Sequence, residues 1–187
     1  MFSTTDFRKG LKLLIEKDPC IIIDFQHVKP GKGSAFVRTK WRNLLTGNVN
    51  ERNFRSGEKF ERPDLEEKEM EYLYCEGDDF YFMDTTSYEQ TFIDRAALGD
   101  SLNFLKENTK ASILFFNGKV IGVDLPNTIE LKVVECAPAV KGDTVSGATK
   151  PATLETGYTV NVPLFINRDD VLKIDTRSGD YLERASS

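Results

Sequence analysis

Hydrophobic and polar residues alternate along this chain with a period of two, the pattern of strands that bury one face. In the first third, Ile21, Ile23, Phe25 and His27 fall to one side of an extended segment, and Ile22, Asp24, Gln26 and Val28 to the other. Residues 35–42 repeat the pattern, setting Val37, Thr39 and Trp41 against Arg38, Lys40 and Arg42. The intervening Lys29-Pro30-Gly31-Lys32-Gly33-Ser34 is turn chemistry, which predicts a hairpin loop projecting from the sheet. Further on, short strands are expected over 68–76, 80–84, 89–93, 113–116 and 119–125. Turn signals at Gly77-Asp78-Asp79, Thr85-Thr86-Ser87 and Asn117-Gly118 separate them. Asn-Gly favours a type I′ hairpin. One helical pattern interrupts the run: Asp94 can cap a turn or two whose face carries Ala97, Leu98, Leu102 and Leu105. A last set of strands is read from Ile129, Leu131 and Val133, from Tyr158, Val160, Val162, Leu164 and Ile166, and from Leu172 and Ile174. Thr176-Arg177-Ser178-Gly179 turns the chain into Tyr181-Leu182.

Composition shifts near Pro63 and near Pro126-Asn127 divide these strands into three modules, 1–63, 64–127 and 128–187. The expected fold is all-β, three small barrels, the middle one with the late single helix of an OB-type barrel. Modules of about 60 residues have marginal cores, so contacts between neighbours should help stabilise them.

Charge changes this picture. The net charge of −5 speaks against a nucleic-acid partner until it is resolved along the chain. Residues 1–63 carry 13 Lys+Arg against 7 Asp+Glu, residues 64–127 carry 5 against 14, and residues 128–187 carry 7 against 9. A basic first module faces a polyanion, with Arg38, Lys40 and Arg42 on one strand face able to neutralise phosphates. An acidic middle module faces something basic.

Enzyme chemistry finds no support. The one histidine, His27, lies in line with strand residues and reads as satisfied or half-buried. Cys20, Cys75 and Cys136 are far apart, forming neither a disulfide framework nor a metal pair, and read as reduced core thiols of a cytosolic protein. Neither a catalytic triad nor a metal site nor a cofactor is expected. Gly31-Lys32-Gly33-Ser34 lacks the spacing of a nucleotide phosphate loop, and a strand rather than a helix follows it. Asp78-Asp79 and Asp169-Asp170 sit at turn signals. No segment reaches the roughly 18 apolar residues of a membrane span, and the start has no signal-peptide pattern.

Four segments, in order, resemble the bacterial elongation factor P family over nearly the whole chain. They are Thr5-Asp6-Phe7-Arg8-Lys9-Gly10, the loop from Val28 through Lys32 to Arg38, the stretch from Lys141 through Gly157 to Ile166, and Asp175-Thr176-Arg177-Ser178-Gly179-Asp180-Tyr181. The resemblance implies an SH3-like (KOW-type) domain followed by two OB-fold domains in an L shape similar to tRNA. It implies a monomer that binds both ribosomal subunits between the P and E sites, beside peptidyl-tRNA, and relieves stalling at consecutive prolines. It makes Lys32 the tip residue extended by a lysine-modifying enzyme, held by Lys29, Pro30, Gly31, Gly33 and Ser34. Relatives use different lysine chemistries, β-lysylation among them, and this tip does not choose between them. Gly142, Asp143 and Thr144 match the loop near the E-site codon, and Tyr181 and Arg184 match residues that reach the P-site tRNA.

Two other readings compete. A paralogous elongation-factor-P-like protein shares the fold, but the Pro-Gly-Lys-Gly tip and the intact third-module loop favour the main family. A general OB-fold binder of single-stranded RNA needs exposed stacking aromatics. The chain offers Tyr72, Tyr74, Phe80 and Tyr81 in its most acidic module, the wrong electrostatic setting.

Overall fold

The structure, a computed structural model, describes residues 1–138 and 147–185. In chain order the strands are β1 Phe2–Ser3, β2 Lys12–Ile15, β3 Asp18–Val28, β4 Phe36–Asn43, β5 Val49–Arg55 and β6 Lys59–Phe60. There follow β7 Leu65–Glu76, β8 Asp79–Asp84, β9 Gln90–Asp94, the helix α1 Arg95–Leu98, β10 Lys110–Phe116 and β11 Lys119–Asp124. The last five are β12 Thr128–Cys136, β13 Thr149–Leu154, β14 Thr159–Pro163, β15 Val171–Asp175 and β16 Tyr181–Arg184. The described fold is thus all-β with one short α-helix. Its strands form sheets ordered β2-β3-β4-β5, β11-β10-β7-β8-β9 and β14-β13-β12-β15-β16, besides the β1-β6 pair. The chain forms two compact units, residues 1–67 with 114–122 and residues 68–113 with 123–187.

In the first unit the sheet β2-β3-β4-β5 buries Leu13, Ile15, Cys20, Ile22, Val37, Trp41 and Phe54 against Phe7 and Phe60. Rings interlock at its centre: Phe54 meets Phe60 edge-on at 5.0 Å between centroids, and Trp41 lies tilted at 43° to Phe54 at 5.5 Å. Aromatic pairs in this geometry contribute about 0.5–1.5 kcal/mol beyond burial. Backbone bonds from Thr4 N–H to the Glu58 carbonyl and from Leu14 N–H to the Glu61 carbonyl tie the closing segment to the sheet.

In the second unit, Asp94 caps α1 as expected, its carboxylate accepting from Ala97 N–H at 2.8 Å. The helix lasts one turn and passes into a 3-10 stretch, Gly99–Phe104. Leu98 and Leu105 are buried on the expected face, but Ala97 is exposed, because the tighter 3-10 winding rotates the face away from it. Phe104 joins the core of Ile129, Leu131, Val133, Leu154, Val162, Leu172 and Ile174 and meets Tyr158 edge-on at 5.0 Å. Thr156 Oγ1 donates to the Asn103 carbonyl at 2.6 Å, and Lys106 Nζ to that of Glu130. This docking makes residues 68–113 and 123–187 a single compact body. In the β10-β11 hairpin, whose residues 114–122 belong to the first unit, Asn117 (φ 49°) and Gly118 (φ 76°) both take positive φ, as a type I′ turn requires. The strand read through Leu164 and Ile166 ends at Pro163; the chain then turns, and Ile166 reaches the core from that turn.

Candidate functional site

Strand β3 has 11 residues, about 35 Å of extended chain, and with β4 it lifts the loop between them away from the core. The last rung of the ladder pairs Val28 with Phe36, so residues 29–35 form the tip. Lys29, Pro30, Gly31, Lys32, Gly33 and Ser34 are all exposed. Gly33 sits at φ 108°, a conformation that disfavours a side chain, and a Cβ there would lie 3.8 Å from the Pro30 ring. Gly31 needs no such freedom. Lys32 is the middle residue of this seven-residue tip.

The positions on β4 behave as the alternation predicts: Val37, Thr39 and Trp41 are buried, and Arg38, Lys40 and Arg42 are exposed. Strand β3 departs from its expected faces. A bulge at Ile23 breaks the alternation, so Ile22 faces Trp41, Phe25 faces Thr39, and Asp24 moves opposite Lys40. His27 lies opposite Val37 near the strand's end and is exposed rather than half-buried, its ring edge-on to Phe25 at 5.7 Å.

The bulge grades the cationic stripe. Lys40 is flanked by Asp24 on β3 and Glu51 on β5, whereas Arg38 lies between Gln26 and Asn53 and Arg42 between Ile21 and Val49. Asp24 also pairs with Lys9 at 3.0 Å, and that hydrogen bond and charge hold its carboxyl below the usual range. Arg38 and Arg42 thus offer the least compensated charge on this face. A second basic feature escaped the sequence reading: a recess of about 310 Å³ lined by Arg8, Lys12 and Arg62, with Glu67 at its wall. The three cations are dispersed in sequence, so no local signal marks them.

At the other end of the chain, Tyr181 lies opposite Ile174 and Arg184 opposite Leu172. Residues three apart on a regular strand point to opposite faces; here a bulge at Leu182 brings both to one side. Tyr181 is half-buried against the core, while the Arg184 guanidinium stands over Phe165 at 6.0 Å and 3.9 Å from Asp170. The preceding hairpin is braced by Asp175, which accepts from Arg177 N–H at 2.8 Å and from the Arg177 guanidinium at 2.7 and 3.2 Å. These contacts pull the Asp175 carboxyl down to about 2. Gly142, Asp143 and Thr144 lie outside the described residues.

Of the cysteines, Cys20 is buried, its thiol pushed up to about 11 by desolvation, whereas Cys75 is exposed and Cys136 half-buried. The expectation of three core thiols fails at Cys75, which follows the bulge at Leu73. Among the described residues no three His, Cys, Asp or Glu side chains are placed to hold a metal ion, and no helix is long and apolar enough to cross a membrane.

Three family models match this chain. The elongation factor P KOW-like domain covers residues 3–60, the elongation factor P OB domain 65–123 and the elongation factor P C-terminal domain 129–184. Elongation factor P of Moorella thermoacetica is 54% identical over 99% of this chain and 100% of its own length. That of Bdellovibrio bacteriovorus is 53% identical over 100% and 99%. Among solved structures, eukaryotic translation initiation factor 5A from Methanococcus jannaschii aligns with a TM-score of 0.53 at 22% identity, covering 65% of this chain and 92% of that one. An initiation factor 5A family protein from Naegleria fowleri aligns at 0.52 and 16%, covering 66% and 96%. At these identities the two structures speak to the fold. The full-length relatives and the three matched domains show that the chain belongs to the elongation factor P family, translation elongation factors and not enzymes.

Proposed function

We propose that this protein works in the cytoplasm on the ribosome, between the P and E sites beside peptidyl-tRNA, and restores peptide-bond formation stalled at consecutive prolines. The observation that carries the proposal is the placement of Lys32: exposed, at the apex of a long hairpin, in a chain of this family. A blunt two-stranded tip cannot enter a narrow RNA-lined cavity, but a four-carbon stem lengthened by a modifying enzyme can. Its ammonium supplies donors for phosphates and ribose hydroxyls.

The chemistry is positional. Proline is a poor nucleophile whose ring constrains the nascent chain, so productive alignment of the two substrates is rare. Holding the acceptor end still raises the rate through orientation, with no proton donated by the factor. Arg38 and Arg42, assisted by Lys40, face tRNA or rRNA phosphates; Tyr181 and Arg184 meet the P-site tRNA from the last module. Gly142, Asp143 and Thr144 approach the E-site codon. This division of labour follows the three modules 1–63, 64–127 and 128–187, and the acidic middle module is left to a basic ribosomal protein.

Intact-mass analysis of the native protein with peptide mapping around Lys32, combined with co-sedimentation on ribosomes carrying P-site tRNA, tests the proposal. A mass increment on Lys32 and pelleting that requires the tRNA are expected. An unmodified Lys32 together with tRNA-independent pelleting would contradict it.

A further inference from the structure

The middle sheet carries an aromatic row on its solvent face. Tyr74, Tyr81 and Phe92 stand directly opposite one another on β7, β8 and β9. Tyr74 and Tyr81 stack at 4.8 Å between centroids with an 18° interplanar angle, and Phe92 follows at 6.4 Å. Cross-strand aromatic pairs stabilise a sheet, and part of this row is explained that way. That explanation does not cover the exposure: Tyr74 is 45% and Phe92 58% accessible. The core already has its own rings on the opposite face, where Tyr72, Phe80 and Phe82 are buried. The next rung outward holds Glu76, Asp79 and Asp94. Glu76 and Asp79 lie close enough that their charge, after burial, helps push the Tyr81 hydroxyl's pKa up.

The Tyr74-Tyr81 stack leaves its outer ring face and the tilted Phe92 ring open, and such rings beside carboxylates repel a polyanion and attract a planar cation. Arginine stacks on ring faces while its fork engages carboxylates, a pairing that lysine reproduces less well. The chain uses this combination on its own arginines. Arg52 lies 4.6 Å over Phe54 and 2.8 Å from Glu16, and Arg95 lies 5.4 Å over Phe80 and 2.8 Å from Asp78. Arg184 does the same with Phe165 and Asp170.

We infer that the Tyr74-Tyr81-Phe92 row, with Glu76 and Asp79 beside it, is a docking surface for an arginine-bearing segment of a basic protein. The inference rests on the assignment of the acidic module to a basic protein partner and gives that contact a place and a chemistry. The same face of a second copy is a poor occupant, because like charges would meet. RNA is disfavoured for the same reason, although the rings could stack with bases.

The test requires no ribosome, so its failure leaves the tip-lysine proposal standing. A fluorescein-labelled peptide of alternating Arg and Gly, the matching Lys-Gly peptide and a labelled single-stranded RNA are titrated with the full chain and followed by anisotropy. Amide cross-peaks of Tyr74, Tyr81 and Phe92 are followed by NMR in parallel. The Arg-Gly peptide should bind several-fold tighter than the Lys-Gly peptide and shift those cross-peaks. Tyr74→Ser with Phe92→Ser should weaken it about tenfold, and Glu76→Gln with Asp79→Asn should weaken it and flatten its salt dependence. Tyr74→Phe with Tyr81→Phe, which keeps both ring faces, should retain binding and guards against a folding artefact. Equal affinity for the Arg and Lys peptides, unchanged binding by the serine variant, preferential binding of RNA, or self-association through this face would each overturn the inference.

Discussion

Gly179 shows how one residue can be fixed by two independent constraints. Its φ of 80° is costly for any side chain, and a Cβ there would overlap the hydroxyl of Tyr158, which donates to the Gly179 carbonyl. Gly179→Ala should therefore destabilise the protein by about 2 kcal/mol or more, read as a lowered denaturation midpoint at unchanged m-value. Lys32 is the opposite case. Its side chain touches nothing that would hold it, so Lys32→Ala should change stability by no more than about 0.5 kcal/mol. Both positions stand out in the sequence, the glycine as a turn signal and the lysine between two glycines, but only packing reveals Tyr158 as the reason for the first. His27 and Cys75 depart from the alternation for the converse reason: strand residues near a ladder's end or beyond a bulge lose the burial that alternation assigns them.

At the scale of strands, the period-two reading located the elements and failed where register shifts. Among the described residues, register shifts fall at Ile23, Leu73, Val134 and Leu182. Each extra residue is apolar, so it extends a hydrophobic pattern while breaking its phase. The sequence offers no glycine or proline to mark them. Two of these bulges shape the candidate site: Ile23 sets Asp24 against Lys40, and Leu182 aligns Tyr181 with Arg184. The first leads to a graded expectation for the stripe. Arg38→Ala and Arg42→Ala should each reduce the slope of log affinity against log salt by about one on ribosome binding. Lys40→Ala should reduce it less, since Asp24 and Glu51 already offset that charge. Equal effects at the three positions would show that the carboxylates turn away in the complex.

Across the whole molecule, the swing from a basic first third to an acidic middle third was fully legible in the sequence, because charge needs no register to be counted. The docking of Phe104 and Asn103 onto the last barrel was not, because it joins residues more than 50 apart through one ring and one hydroxyl. Acid should loosen that last barrel at a definable place. Asp175, held at about 2 by Arg177 against an ordinary value of about 3.9, stabilises its hairpin fully above about pH 4 and loses that contribution as pH falls toward 2. Asp175→Asn should flatten the pH dependence of stability across this window, measured by denaturant titration between pH 2 and 5. An unchanged slope would assign the acid sensitivity to other carboxylates.

On the proposed function, a folded, inert scaffold delivers Lys32 to the stalled peptidyl-tRNA. In vitro translation of messages with and without a Pro-Pro-Pro stretch tests it most directly, comparing the native protein, Lys32→Ala and Lys32→Arg at matched concentration. Loss of rescue by the alanine variant, confined to the proline message and with melting unchanged, is the expected result. The arginine variant should also fail, because its rigid fork has a different shape and is not a substrate for lysine modification. Full rescue by Lys32→Ala would rule out delivery through Lys32 and place the activity elsewhere on the chain.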